Sequence, residues 1–361
     1  MAPLASIRRF GRVASLLTGV VLLSLVVPSS SAAQEFTERF DRDRCTFATT
    51  GSNPFLPLWP GYALLLEGEE EEEGETVEVS SLITVTFDTE LVDGVLTRVL
   101  EERESEDGEL AEVSRNFVAY CRETGDVWYF GEDVVDFEDG EPVPADDGWR
   151  AGIDGARPGI LMPGSPLVGA RYFQELAPGV ALDRGEVIAL DQVLTVPVGT
   201  FENVLQIEDS DALDPGDADP KYYAPGVGIL KDEELELVEI TPPACQPDEV
   251  TLCLANGRFQ VRAEWEDFQA NQGVGAVTTS SDDSGGFWFF SPENTELLVK
   301  VLDACDVPGN DTFWVFAAGL TNVEVTLTVT DTETDRSRVY ENELGEAFSP
   351  ILDVEAFAAC P

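Results

Sequence analysis

An all-β protein is predicted by three observations. Apolar residues recur at every second position, turn dipeptides break the chain at short intervals, and no sustained helical period with caps appears. The expected architecture is a curved antiparallel sheet or incomplete barrel followed by a small β-sandwich. Thr76 to Asp88 is the clearest strand, because Val77, Val79, Ile83, Val85 and Phe87 share one parity and mainly polar residues the other. Val95 to Glu102, Leu110 to Cys121, Val127 to Phe130, Val187 to Val196, Phe201 to Ile207, Tyr222 to Leu230 and Glu234 to Ile240 repeat the theme. Asp93-Gly94, Asp107-Gly108, Gly125-Asp126, Asp139-Gly140 and Pro215-Gly216 supply turns between them, so the region reads as a meander of hairpins. Glu69 to Glu73, between Gly68 and Gly74, is expected to form a disordered loop, since like charges this dense repel one another.

The prolines of Thr241-Pro242-Pro243-Ala244-Cys245-Gln246-Pro247 mark a boundary, placing a first β domain at residues 34–241 and a second at 242–361. In the second, Arg258 to Trp265, Phe287 to Phe290, Leu297 to Leu302, Phe313 to Phe316, Val323 to Thr330 and Arg338 to Tyr340 are strand-like. Strands at that spacing suit a small antiparallel sandwich.

Residues 1–33 read as a cleavable signal peptide: Arg8, Arg9 and Arg12, then the apolar run Val13 to Val27, then small residues up to Ala33. The run is shorter than the ~20 residues of a spanning helix, so no membrane span is expected once the leader is cleaved. The destination is extracytoplasmic: extracellular, cell-surface or periplasmic. Six Cys follow the leader (Cys45, Cys121, Cys245, Cys253, Cys305, Cys360), an even number that suits three disulfides in an oxidising compartment. Many connectivities are open to six Cys. Pairing within domains gives Cys45–Cys121, Cys245–Cys253 and Cys305–Cys360.

Acidic residues number 70 against 21 Lys and Arg, a net charge of −49. That balance excludes nucleic acid as a partner and argues against anionic lipid. The chain has no His, which removes Ser-His-Asp and Cys-His nucleophiles and most zinc sites. No cofactor is expected, with calcium as the exception considered below.

Two stretches carry resemblances. Cys253-Leu254, Gly257-Arg258-Phe259, Trp265, Ser284 to Phe290, Leu298 to Asp303, Phe313 to Phe316 and Thr326 to Thr332 together resemble a β domain recurring at the C-terminus of bacterial exported proteins. Asn53 to Gly61, Val127 to Asp133, Gly155 to Pro163, Val196 to Phe201 and Tyr222 to Gly228 resemble an uncharacterised family of secreted bacterial proteins. The resemblances imply export and β architecture and transfer no catalytic residue.

Three candidate sites follow from the residues. Asp209, Asp211, Asp214, Asp217 and Asp219 cluster in one acidic segment that could offer oxygens to calcium, although the segment lacks the Gly and terminal Glu of an EF-hand loop. A solvated hairpin tip accounts for the same acids. Trp288, Phe290, Trp314 and Phe316 could form an outward contact patch for a glycan or protein. A pair of carboxylates beside Trp59, Trp128 or Trp149 could hydrolyse a glycan, although buried core is the commoner fate of such aromatics. A Ser-Lys dyad is set aside, because Lys221, Lys231 and Lys300 sit in or beside strands without an SxxK arrangement. The expected function is therefore a non-enzymatic binding or structural protein of the cell exterior, with a glycan hydrolase or a calcium-dependent adhesion module as alternatives.

Overall fold

The computed structural model describes residues 35–360 apart from 73, 139, 146, 147, 215, 217 and 306, so the expected leader lies outside the described residues. Strands dominate, and the helical content is the 3-10 turn Arg42–Arg44. The alternation read in the sequence becomes an antiparallel sheet. From Asp183–Val196 it passes through Gly199–Asp211, Asp219–Ala224, Gly228–Asp232 and Leu235–Thr241. It continues through Ala63–Glu72, Glu75–Val92, Val95–Glu106, Glu109–Cys121 and Val127–Glu138 to Arg157–Met162.

One short stretch brings the two edges of this sheet together. Arg171–Phe173 pairs with the strand at one edge, setting Tyr172 opposite Gly185. Glu175–Leu176 pairs with the strand at the other edge, setting Pro158 opposite Glu175. Only Gln174 separates them, and its N–H donates to the Asp183 carbonyl at 2.8 Å. The sheet thus rolls into a nearly closed antiparallel barrel, which protects the edge groups an open sheet would expose.

The Glu69 to Glu73 loop is a correction. Glu69 to Glu72 end the strand Ala63–Glu72, with Glu69 opposite Glu78 and Glu70 opposite Val77. Gly74, at φ 90°, lets the chain turn tightly into the partner strand. Neighbouring acids in a strand point to opposite faces, and Glu69 and Glu71 are exposed to water. Their repulsion is therefore too weak to outweigh the ladder hydrogen bonds.

Two five-stranded sheets make up the C-terminal part. Phe259–Glu266 and Glu324–Asp331 are central in one, Leu297–Asp303 and Phe313–Gly319 in the other. Their inward residues share one core, in which the Phe259 ring lies 4.9 Å from Phe313 and 5.0 Å from Phe357. Arg258 closes the core's edge. Its guanidinium grips buried Asp331 with two bonds of 2.8 Å and lies 4.6 Å above Phe313. Burial alone would raise the Asp331 pKa, but hydrogen bonds from Arg258 and Thr334 outweigh it and hold the group below the usual carboxylate range. The disulfides are Cys45–Cys121, Cys245–Cys253 and Cys305–Cys360, the within-domain connectivity.

Arg98 ties the barrel to the sandwich. It is fully buried and donates to the carbonyls of Thr49 at 3.0 Å, Phe87 at 2.8 Å and Asn256 at 2.7 Å. Burial brings its pKa down to about 10 against the opposing charges of Asp88 and Asp282. Next to Asn256, Gly257 adopts φ 87°, where an added Cβ would meet Pro60 Cδ at 2.9 Å. The turn at Gly257 thus touches the barrel at a place only glycine fits.

A candidate site of buried carboxyls and a lysine inside the barrel

Period-two alternation sends Tyr129, Asp209, Lys221 and Tyr223 to the barrel's inner side, and the closing stretch adds Gln174 and Glu175. With Leu161 and Asp183 they line a small cavity of about 30 Å³. The Tyr129 hydroxyl contacts the side-chain oxygen of Asn116 and, at 2.7 Å, Glu132 Oε2. The Glu175 carboxyl is only 1% exposed, and the polar groups set against it are Asp183 and the Trp149 indole.

Burial is the main cause of the titration behaviour here. It holds Glu175 well above the usual carboxylate range, helped by the charges of Asp183 and Glu132. It raises Asp183 to about 6 and Asp209 to about 7, with Lys221 opposing the rise in both. Farther round the wall, burial and the charge of Glu104 raise Glu102 to about 8, although the Ser81 hydroxyl donates to it at 2.6 Å. Lys221 is 2% exposed. Burial alone would lower its pKa, but Asp232 at 2.9 Å and Asp209 at 3.7 Å outweigh burial and hold it as an ammonium.

The calcium segment is only partly gathered. Asp209 and Asp211 share the inner parity of one strand, and Asp219 pairs with Asp209 across the ladder. But Asp209 is engaged by Lys221, Asp211 and Asp219 are half-buried, Asp214 is exposed at the hairpin tip, and Asp217 lies outside the described residues. No group of three or more Asp, Glu, His or Cys among the described residues is arranged to hold a metal ion.

The aromatic residues are only partly gathered. Trp314 and Phe316 alternate with buried Phe313 and Val315, so they share the outward face of their sheet, rings 6.1 Å apart and edge-on. Strand pairing sets Leu302 beside Trp314 and Leu352 beside Phe316. Leu352 is 72% exposed and Leu298, on the same face, 53%. Trp288 shares that face at the level of Ala276, roughly 20 Å along the strands from Trp314. Phe290 lies beyond the strand end and packs on Trp265 at 4.8 Å. Trp128 and Trp149 are buried.

Trp149 also forms part of an open groove of about 500 Å³ on the barrel's outside, with Asp133, Arg150, Ile153 and Val180. The indole packs edge-on against Tyr129 at 5.4 Å, so the same ring forms the floor of the groove and a wall of the acid cluster.

Sequence reasoning missed Lys221, Glu175 and Asp183. One signal was readable: Lys221 and Tyr223 share a parity in the strand Asp219–Ala224, between two hairpins that bring Asp209 and Asp232 near it. Glu175 left no such signal, because its burial depends on the barrel closing. No protein-family model, curated protein or solved structure matches the chain.

Proposed function

We propose that the chain is a non-enzymatic binding or structural protein of the bacterial cell surface or exterior. It would contact a protein partner through the outward face of the sheet carrying Trp314 and Phe316. The observation that carries this reading is the group Leu298, Leu302, Trp314, Phe316 and Leu352 on one open face, with Lys300 opposite Phe316 between the first two leucines. Exposed apolar residues gathered on one face among polar ones mark interaction sites. The Trp314 and Phe316 rings stand edge-on to each other among leucines and form no flat platform for a sugar, so the face suits a protein patch better than a glycan. A chain at −49 further favours a partner whose rim carries Lys and Arg. Three disulfides and the resemblance of residues 245 to 361 to a module of bacterial exported proteins support the location.

The hydrolase alternative is served less well at either place. The buried pair Glu175 and Asp183 lies in a cavity of about 30 Å³, well below the ~300 Å³ of ligand pockets. In the roomier groove beside Trp149 the Asp133 carboxylate is paired with Arg150 at 2.6 Å. A photoreactive residue placed at Leu352 in the exporting cell, with one at exposed Leu167 as control, tests the proposal. One protein adduct of defined mass at 352 and none at 167 is the expected result. Equal labelling from both sites, an adduct of twice the chain mass, or Glu175-dependent glycan hydrolysis would sink it.

A further inference from the structure

A lysine is almost never fully buried unless it is paired, and Lys221 is held in a particular way. Register sets it opposite Ile207 on one neighbouring strand and opposite Asp232 on the other. Asp209 lies two residues beyond Ile207 on the same inner face. Three adjacent strands therefore present Asp209, Lys221 and Asp232 side by side, with Nζ 3.7 Å from Asp209 Oδ2 and 2.9 Å from Asp232 Oδ2. The Gln174 amide donates to the other Asp209 oxygen, Oδ1, at 3.3 Å. The two Asp209 oxygens are thus in different surroundings: one accepts a hydrogen bond as a carbonyl does, the other faces the amine.

We propose that Lys221 and Asp209 become joined by an amide bond between Nζ and Cγ, an intramolecular cross-link that forms once the barrel has folded, with Asp232 carrying the proton. The atoms balance. Asp232 takes a proton from the Lys221 ammonium along the 2.9 Å contact, leaving a neutral amine. Burial favours the protonated form of the Asp209 carboxyl, so the amine meets an electrophilic acid rather than a repelling carboxylate. Nitrogen attacks Cγ while Gln174 stabilises the charge developing on Oδ1. The C–Oδ2 bond then breaks, and the oxygen leaves as water with its own proton and one from nitrogen. The products are a neutral amide, one water and protonated Asp232, with no oxidant or cofactor consumed.

Two further observations fit this reaction. The cavity lined by Lys221 and Asp209 measures about 30 Å³, enough for a released water. The Glu175 carboxyl lines the same cavity and could accept a hydrogen bond from that water. Fixed neighbours in a water-poor interior also supply the proximity that makes an uncatalysed amide condensation feasible. Asp209 rather than Asp232 is the electrophile because Asp209 is the more buried of the two, at 5% side-chain exposure against 20%.

Intact-mass measurement of the folded, disulfide-bonded chain is the test. The expected mass is one water below that of the sequence with three disulfides, and fragmentation should return a branched peptide joining residues 221 and 209. Lys221→Arg should restore the full mass. Should that variant fail to fold, Asp209→Asn gives an independent reading. It would lose ammonia instead of water and end at the same mass as the cross-linked wild type, since the product is the same amide. A wild-type mass with disulfides only would overturn the proposal, as would a branch point at Asp232.

Discussion

Glu175 is a carboxyl that the fold buries against Asp183 and the Trp149 indole rather than against a cation, and this makes its substitution informative. In the unfolded chain it ionises near pH ~4.3, whereas burial keeps it protonated in the barrel well above that. Folding near neutral pH therefore includes the cost of putting a proton back. Glu175→Gln removes that cost while keeping shape and neutrality. The variant is expected to match the wild type in urea unfolding at pH 5 and to be the more stable by about 1 kcal/mol or more at pH 8.5. Equal destabilisation at both pH values would mean that the carboxyl is ionised and held by the Trp149 indole. Asp331 is the opposite case, a buried carboxyl held charged by two bonds from Arg258, and there the same kind of exchange would leave a guanidinium short of its partner.

At the scale of elements, the strand Val127–Glu138 shows what a single glycine permits. Gly131 sits at φ 141°, and an added Cβ would lie 2.3 Å from the Trp149 carbonyl oxygen. It also marks the place where the register to the neighbouring strand slips by one residue, Phe117 facing Gly131 and Val118 facing Tyr129. The bulge lets Trp149–Arg150 pair closely with this strand, and so places the Trp149 indole against Tyr129. Gly131→Ala should cost about 1–3 kcal/mol and release the Trp149 ring, read as a red-shifted indole fluorescence in the folded protein. Unchanged stability and emission would show that the bulge is not set by this residue. Bulges mark the boundary of what the sequence discloses. Alternation at Val77, Val79, Ile83 and Val85 announced a strand, and Asp93-Gly94 announced its turn, because both signals are local. Ring closure through Gln174 left no pattern, since two short strands on either side of one residue carry too few positions to show a period. The burial of Asp209 beside Lys221, which sets it apart from exposed Asp214, follows from the same long-range closure. Trp314 and Phe316 were legible because strand parity alone fixes their face.

On the scale of the whole molecule, the two parts should answer pH differently. Burial raises Glu102 to about 8 and Asp183 to about 6, both within the barrel and both outside the proposed cross-link. Because these folded-state values lie above the unfolded ones, the native barrel binds more protons than the unfolded chain between pH ~4 and pH ~8. Their contribution is full below the unfolded pKa and is lost as pH rises through the folded pKa. The sandwich carries the reverse device in Asp331, whose depressed pKa contributes above its unfolded value and is lost only in stronger acid. Two barrel groups shifted by one pKa unit each amount to about 3 kcal/mol, which at this domain size is a melting shift of about 6 °C or more. Between pH 5.5 and 8.5 the melting temperature should fall by that amount. Hydrogen exchange should locate the loss in peptides from 95–138 and leave 313–329 nearly unchanged. The chain's surface charge predicts a fall of the same sign, so the measurement belongs in about 1 M salt, where exposed charges are screened and buried groups much less so. If the fall vanishes in salt, or both regions loosen together, repulsion across the acidic surface is the cause and the buried carboxyls are not.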